Sequence, residues 1–229
     1  MQWRSATMLL EIERVLSPDD LTALRAVLAR AEFTSGKATA KGDAERVKHN
    51  LELPRTSVAA KEAGAIVLRC FRDHPIADAA AAPKAILPPM FNRFDPGMSY
   101  GNHLDWPLAS DPQLRCDISV TIFLSDPSDY DGGELVIETD YGARACKGTA
   151  GDCVLYPSSM LHRIEPVTRG SRLAAVFWIQ SLVRNPDCRR ILFDLWSVSS
   201  ATDLANKGGA LSARLRRSYC NLLRMWSES

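Results

Sequence analysis

The chain has 229 residues, and 46% of them are hydrophobic, which suffices for the core of one large domain or two small ones. Its 28 basic and 27 acidic residues nearly cancel, so composition gives no general attraction to nucleic acid or anionic lipid. No apolar stretch approaches a membrane span, and the opening MQWRSATMLLEIERVL lacks the pattern of a secretory signal. We therefore expect a cytoplasmic protein without a membrane or nucleic-acid partner.

The N-terminal third is predicted to be helical, with a polar connection. Ser17 can cap a helix that begins with Pro18, and the acidic pair that follows suits the positive end of that helix. The polar, glycine-bearing segment FTSGKATAKGDAERVK predicts a loop or a loosely ordered lid. A second helix is predicted over roughly residues 56 to 73, ending before His74-Pro75. The alanines at 79 to 82 extend helix or coil, and PKAILPPM predicts a break.

From residue 85 the pattern changes to short apolar runs separated by turn residues. The runs are AILPPMFNRF, DISVTIFL, ELVIE, CVLYP and LAAVFWIQ, with DPG, DPSDYDGG and TRGS between them. Many short strands at this spacing favour a sandwich or barrel. After Val183 a helical period returns, so helices flank a strand-rich core. We predict a single α+β domain, with support residues 1–84, core residues 85–183 and C-terminal helices in 184–229.

The cysteines are predicted to be free thiols. No two of them form a C-x-x-C pair, which argues against a zinc knuckle or a redox dithiol. The sequence also contains no export signal that would indicate an oxidising compartment, where disulfides form. The six are Cys70, Cys116, Cys146, Cys153, Cys188 and Cys220.

The stretch YGNHLDW contains the first candidate metal ligands. In an extended strand, His103 and Asp105 would point the same way and could reach one ion. Such a pair alone is more typical of a surface hydrogen bond. His162, in a strand-turn-strand pattern, would complete a set of two imidazoles and one carboxylate, although a single histidine there is more often a packed core residue. That set is typical of non-haem Fe(II) oxygenases, and zinc also accepts it.

Arg172 is the candidate anion-binding residue. If Leu161 to Pro166 and Ser171 to Ile179 are antiparallel neighbours joined by VTRG, its guanidinium points into the same cavity and can hold a carboxylate in a two-pronged contact. The simpler interpretation is a surface ion pair. The order His-x-Asp, distant His, then Arg favours a site.

Several long segments in this order resemble the Fe(II)- and 2-oxoglutarate-dependent dioxygenases, and more narrowly the bacterial PKHD-type hydroxylases related to prolyl 4-hydroxylase. The matching segments cover most of the chain: VKHNLELP, MFNRFDPGMSYGNHLD, DISVTIFLSDPSDYDGGELVIE, AGDCVLYPSSMLHRIEPVTRGSR, FWIQSLVR and NLLRMW. The resemblance implies a double-stranded β-helix barrel with N- and C-terminal helices on it. It also implies hydroxylation of a small-molecule or peptide substrate, with release of succinate and CO2.

The resemblance also implies roles for individual residues. His103, Asp105 and His162 are expected to be the catalytic Fe(II) ligands, and Arg172 to bind the distal carboxylate of 2-oxoglutarate. Trp178 matches a tryptophan beside the co-substrate, although a core aromatic fits its strand equally well. Dioxygen is the second co-substrate, and L-ascorbate is an expected reductant. An intact Asp105 favours hydroxylation over halogenation.

The sequence departs from the family pattern at several positions. Phe94 stands where relatives usually have tyrosine, so we expect the hydroxyl of Tyr100 or Tyr156 near the co-substrate instead, unless both simply pack. Trp106 replaces a small or polar residue, and Cys220 stands where relatives often have histidine. These departures bear on the substrate more than on the reaction.

Substrate and assembly are the least constrained by sequence. Arg115 and Trp106 are candidate substrate contacts at the barrel mouth, although a strand-end salt bridge also suits Arg115. An amino acid, a peptide or protein side chain and a siderophore-like molecule all remain open as substrates. The apolar faces of the C-terminal helices allow a homo-oligomer. Two other functions stay open: a cupin-like metal-dependent hydrolase, and a non-catalytic sensor of 2-oxo acid or iron.

Overall fold

The computed structural model describes residues 9–39, 43–110, 112–206 and 209–228. These ranges contain seventeen strands and six α-helices, with a 3₁₀ turn at Gly36–Thr39. The helices are α1 (Pro18–Leu28), α2 (Asp43–Val47), α3 (Val58–Asp73), α4 (Pro75–Ala81), α5 (Pro186–Asn206) and α6 (Ala210–Trp226).

The strands are short and fall on both sides of α3 and α4 in the chain. The first five are β1 (Leu10–Ile12), β2 (Thr34–Ser35), β3 (Lys48–His49), β4 (Leu51–Glu52) and β5 (Pro83–Ile86). The next six are β6 (Met90–Phe94), β7 (Ser99–His103), β8 (Leu108–Ser110), β9 (Gln113–Arg115), β10 (Ile118–Phe123) and β11 (Tyr130–Gly132). The last six are β12 (Leu135–Thr139), β13 (Gly142–Cys146), β14 (Cys153–Pro157), β15 (His162–Ile164), β16 (Val167–Gly170) and β17 (Arg172–Ser181).

Within the described residues, two antiparallel sheets contain most of the strands. The larger sheet has the order β1-β14-β10-β17-β6-β4-β2, with β5 also paired to β17, and the smaller sheet has the order β13-β12-β15-β7-β3. Two further two-stranded sheets pair β11 with β16 and β8 with β9. From β10 onward the chain passes repeatedly from one sheet to the other. The architecture is therefore a mixed one, with helices and antiparallel sheets, as predicted at the level of class.

The central strands of the larger sheet are buried on both faces, since every residue of β10 and β14 is buried. Successive side chains of a strand point to opposite sides of the sheet. On β17, Phe177 faces the helices and meets Phe71 of α3 edge-on, with ring centroids 5.2 Å apart. Arg172 and Trp178, at alternate positions of the same strand, line a cavity on the other face. The central strands thus supply every second residue to the space beside the smaller sheet.

The two predicted N-terminal helices are present, and both begin at serine caps. Ser17 Oγ accepts a hydrogen bond from the backbone N–H of Asp20, whose carboxylate accepts from the N–H of Ser17, so the cap is reciprocal. Ser57 Oγ accepts from the N–H of Ala60 at the start of α3. The helix ends at Asp73, before the His-Pro pair, as predicted.

The polar segment between α1 and α3 is more ordered than a loop. It contains β2, the 3₁₀ turn, α2 and β3, while residues 40–42 lie outside the described part. Composition misled this prediction because Lys48 and Glu52, each 5% exposed, form a buried ion pair. The expected break PKAILPPM contains β5, which pairs with β17; Pro83 is tolerated because it is the first residue of its strand.

The predicted hairpin between the segments around His162 and Arg172 is wrong. β15 pairs with β12 and β7 in the smaller sheet, whereas β17 pairs with β10, β6 and β5 in the larger one. The intervening VTRG is a strand, β16, paired with β11. Gly170 serves this close approach, since an added Cβ there would lie 2.0 Å from the carbonyl oxygen of Asp129.

The C-terminal helices α5 and α6 pack against each other, and α5 also packs on α4. On α5 the apolar face is buried through Leu192 and Phe193, and Phe193 stacks on Trp196 at 5.9 Å between ring centroids. The stripe predicted on α6 is less covered, since Leu211 is 59% exposed. No helix among the described residues is long and apolar enough to cross a membrane.

Candidate metal centre and co-substrate site

Three side chains with metal-binding groups converge between the two sheets. His103, the last residue of β7, lies directly opposite His162, the first residue of β15. Asp105 is two residues beyond the end of β7, in the following loop. The expectation that it shares a strand with His103 was therefore wrong. One ligand atom from each of the three lies within 4.8 Å of the others, and His162 Nε2 is 3.8 Å from Asp105 Oδ2.

Both imidazoles are oriented by backbone carbonyls. The Nδ1 of His103 is 2.8 Å from the carbonyl oxygen of Gly101, and the Nδ1 of His162 is 3.0 Å from that of Met160. An Nδ1–H that donates to a carbonyl leaves Nε2 free to coordinate a metal. Burial, helped by the nearby His162, lowers the pKa of His103 to about 4, which favours the neutral, ligating form.

The carboxylate and one imidazole are also held by side chains. Ser119 Oγ donates to Asp105 Oδ2 over 2.5 Å and lies 2.8 Å from Ser158 Oγ. The ring of Tyr100 stacks on His103, with centroids 3.5 Å apart and planes at 12°. These contacts restrict the rotamers of two candidate ligands before any ion binds.

Arg172 reaches the same cavity from the opposite sheet. It is 1% exposed, and its guanidinium carbon lies 5.5 Å from the ring centroid of Phe94 and 5.9 Å from that of Phe123. Its Nε and Nη2 have no hydrogen-bond partner among the described residues. Burial lowers the pKa of Arg172, and the nearby Tyr130 and Tyr156 oppose that shift. A buried cation with unpaired donors is costly and fits an anionic ligand.

Gly133 and Tyr130 lie next to the side chain of Arg172. Tyr130 is fully buried, and its hydroxyl also lacks a partner among the residues described. Gly133 has φ +67°, and an added Cβ would lie 2.9 Å from Val167 Cγ2 and 3.1 Å from both Arg172 Cδ and Tyr130 Cε2. Gly133 ends the segment DPSDYDGG, which was predicted to form a turn, and the structure shows that this glycine also makes room for the arginine.

The cavity between the sheets has a volume of about 440 Å³ and is lined by the three candidate ligands and Arg172. Tyr100, Tyr156 and Trp178 all line it. Tyr156 is 2% exposed, and burial raises the pKa of its hydroxyl, which bonds to Thr121. The indole Nε1 of Trp178 is buried and has no partner in the described part of the chain.

The two candidate substrate residues have different positions. Trp106 is 62% exposed and lines the cavity. Arg115 does not line it: Nε and Nη2 bond both carboxylate oxygens of Asp117 at 2.7 and 3.0 Å, and Nη1 bonds Glu228 at 2.8 Å. Arg115 is therefore held in a strand-end salt bridge outside this cavity.

Several residues of this site were missed from the sequence. Ser119 and Tyr130 are brought to the site by strand pairing, which no local pattern reveals. Three residues that line the cavity, Lys48, Arg55 and Asn92, were also not predicted. The first two belong to or adjoin the segment VKHNLELP, whose match to the hydroxylases was the available signal.

Comparison with known proteins decides the family. Residues 89–180 match the 2OG-Fe(II) oxygenase superfamily. A PKHD-type hydroxylase of Methylobacterium nodulans is 44% identical over 226 residues, covering 96% of this chain and all of that protein. One from Hyphomonas neptunium is 44% identical over 230 residues, covering 97% and 100%. This chain belongs to the PKHD-type hydroxylases.

Solved structures show the same fold at low sequence identity. A Pseudomonas putida prolyl-4-hydroxylase superposes with a TM-score of 0.55 at 20% identity, covering 77% of this chain and 94% of that one. A Trichoplax adhaerens prolyl hydroxylase, solved with a hypoxia-inducible-factor peptide fragment, gives 0.58 at 17% identity, covering 82% and 87%.

This PKHD-type hydroxylase is therefore an Fe(II)- and 2-oxoglutarate-dependent dioxygenase, and its substrate is not specified by the comparisons. The buried residues fit the groups that such an enzyme needs. Two imidazoles with free Nε2 atoms and a carboxylate suit a ferrous ion. The unpaired guanidinium of Arg172 suits a carboxylate of the co-substrate.

Proposed function

We propose that His103, Asp105 and His162 hold the ferrous ion and that Arg172 binds the distal carboxylate of 2-oxoglutarate. The observation that carries this assignment is the pair of unpartnered donors on Arg172, which is 1% exposed and lines the cavity of the three ligands. Binding of a carboxylate would satisfy both donors and neutralise the buried charge.

The bound iron and 2-oxoglutarate would supply dioxygen activation, as 2-oxoglutarate is converted to succinate and CO2 and the substrate gains a hydroxyl group. The protein contributes orientation. Ser119 fixes the carboxylate of Asp105, and carbonyl groups fix both imidazoles. Phe94 and Phe123 exclude water from the guanidinium of Arg172.

The aromatic residues of the cavity complete the proposal. Tyr100 supports His103 by stacking, so its role is positioning. Tyr156 and Trp178 are proposed to contact the co-substrate, since both line the cavity of Arg172. Phe94 supplies no hydroxyl, and the buried Tyr130 beside Arg172 offers one.

We also propose that the two sheets close as a double-stranded β-helix barrel, within a single domain over residues 1–229. The support comes from the repeated passage of the chain between sheets after β10. The N-terminal segment contributes strands to both sheets, which ties it to the core. The segments 1–84, 85–183 and 184–229 would then be parts of one folding unit.

The substrate is proposed to be a small molecule or a peptide, and nucleic acid is not an expected partner. The Trichoplax enzyme was solved with a peptide, and HygX from Streptomyces hygroscopicus with hygromycin B, so this fold accepts both classes. All six cysteines are free thiols, which suits the reducing cytoplasm. Exposed Leu211 and Met225 on α6 support a homo-oligomer through the C-terminal helices.

The assignment is tested with four variants in succinate-release and metal-binding assays. His162→Ala and Asp105→Ala should abolish iron retention and succinate release. Arg172→Leu should weaken 2-oxoglutarate binding at least a hundredfold, corresponding to about 3 kcal/mol, and leave iron bound. Arg169→Leu is the control, because it removes an exposed arginine paired with Asp131.

The outcomes separate the alternatives. Full activity of either ligand variant would remove that residue from the metal site, and unchanged 2-oxoglutarate affinity would remove Arg172. A hydrolase would release no succinate and would tolerate loss of Arg172. A sensor would bind iron and 2-oxoglutarate yet release no succinate with any substrate.

A further inference from the structure

We propose that the substrate carries a carboxylate beside an apolar body, and that Arg55 binds this carboxylate in the cavity that also contains the metal ligands. The inference rests on the proposed function, in which Arg172 binds the co-substrate, so that Arg55 remains to bind the substrate. Neither the family comparison nor the sequence pattern assigns a role to Arg55.

The charge of the cavity carries the first step. Among the described residues that line it, the cationic side chains are Lys48, Arg55 and Arg172, and Asp105 is the single carboxylate. A ferrous ion, the carboxylate of Asp105, the 2-oxoglutarate dianion and Arg172 together have no net charge. Lys48 is neutralised by the buried Glu52. In the loaded site, Arg55, which is exposed and lines the cavity, is therefore the cation among the described lining residues that has no anionic partner.

Arg55 is free to bind an anion. It lies between β4 and α3, and its Nη2 contacts the sulfur of Met90. It forms no ion pair with another described residue. Burial is the main cause of the lowered pKa of Lys48, and the positive charge of Arg55 adds to that effect, so the two cations are close enough to repel. An anion bound by Arg55 would oppose this effect of its charge on Lys48.

A further polar group of the cavity, on Asn92, is a donor as well. Asn92 lines the cavity, and its Oδ1 already accepts a bond of 2.8 Å from Asn50. The remaining group on Asn92 is its NH₂. A ligand that meets these residues must offer hydrogen-bond acceptors, as a carboxylate does.

An apolar surface lies on the same cavity. Leu104, Trp106 and Leu108 are 57%, 62% and 55% exposed, and all three line it. Large apolar side chains grouped at the opening of a cavity mark a contact surface. We therefore infer an amphipathic substrate, with its apolar body against this surface and its carboxylate on Arg55.

The test uses the full-length protein loaded with Mn(II) and saturated with 2-oxoglutarate, so that Arg172 is occupied. The probes are 3-phenylpropionate and 3-phenylpropionamide, which differ in the charged group. Paramagnetic broadening of their proton NMR signals reports binding near the metal, with Zn(II)-loaded protein as the diamagnetic reference. We expect the acid to bind at least tenfold more tightly than the amide.

Arg55→Gln should remove this preference by weakening acid binding roughly tenfold while leaving amide binding unchanged. The matched control is Arg93→Gln, because Arg93 is an exposed arginine paired with Asp95 and does not line the cavity. Equal affinity for acid and amide, absence of acid broadening, or an unchanged preference in Arg55→Gln would overturn the inference. Failure of the proposed function has a separate readout, since 2-oxoglutarate itself would then show no broadening by Mn(II).

Discussion

The hydroxyl of Ser119 donates a 2.5 Å hydrogen bond to the carboxylate of Asp105 and thereby joins the larger sheet to the loop that follows β7. Ser119 is completely buried on β10, whereas both histidines belong to the smaller sheet. The three candidate ligands are therefore oriented by two different sheets. Movement of one sheet relative to the other would alter the geometry of the metal site.

Replacing Ser119 by alanine should weaken metal binding about tenfold, because the carboxylate of Asp105 loses the donor that orients it. The affinity for Fe(II) or Mn(II) is measured under anaerobic conditions by competition with a chelator. Ser158→Ala is a graded comparison, since that hydroxyl contacts Ser119 and not the carboxylate, and its effect should be smaller. Equal metal affinity of Ser119→Ala and wild type would show that Asp105 needs no such support.

Replacing Gly133 by alanine should weaken 2-oxoglutarate binding, because the new Cβ would crowd Arg172 and Tyr130. The strained positive φ should also reduce the free energy of unfolding by about 1 kcal/mol. Gly142→Ala is the matched control: Gly142 has φ +108° and no atom within 4 Å of an added Cβ. Both variants should lose stability in denaturant titrations, whereas calorimetry should find weaker 2-oxoglutarate binding in Gly133→Ala alone. Equal 2-oxoglutarate affinities of the two variants would show that Gly133 does not affect the position of Arg172.

The parts of the fold that sequence could predict are those with local causes. The Ser17 cap and the His-Pro stop act within a few residues, so α1 and α3 were predicted with nearly correct bounds. The apolar runs after residue 85 are strands because half-buried or buried strands need such side chains. Which strands pair is a non-local property. The hairpin predicted between His162 and Arg172 was wrong for that reason, although both residues reach one cavity.

The same distinction applies to the site. His-x-Asp spacing suggested two ligands, the pattern of the later strands offered His162 and Arg172 as candidates, and the resemblance implied the role of each. Ser119 was not predicted, because its role exists only once β10 lies against the loop that contains Asp105. Lys48 was assigned to a polar loop because its partner Glu52 gives no sign of burial in the sequence.

Asp20→Asn should reduce the free energy of unfolding at pH 7 by about 1 kcal/mol, because Asp20 closes the cap of α1 and pairs with Arg69. Hydrogen bonds from Ser17, then from Arg69, lower the pKa of Asp20 from 3.8 to about 2. The folded-state pKa is below the unfolded value, so the contribution is complete above pH 3.8 and is lost as the pH falls toward 2. Urea titrations over this range should show the difference disappear. Asp19→Asn, in the same turn, is the control, and an equal loss there would exclude the cap as the cause.

Glu52→Gln should destabilise the protein by about 3 kcal/mol at pH 7, because it removes the carboxylate paired with Lys48 in the interior. Burial already lowers the pKa of Lys48, and Glu52 opposes that shift. In the variant, the folded-state pKa of Lys48 should fall further.

The loss of stability in this variant is then largest below the folded-state pKa of Lys48. It shrinks as the pH rises toward the pKa of lysine in the unfolded chain, since the buried lysine becomes neutral. Denaturant titrations from pH 6 to 9 measure this slope. Adding Lys48→Met should recover most of the loss, whereas Glu138→Gln, in the half-exposed pair with Arg163, should cost less than about 1 kcal/mol. A pH-independent loss, or no recovery in the double variant, would show that the ion pair is not the origin of the effect.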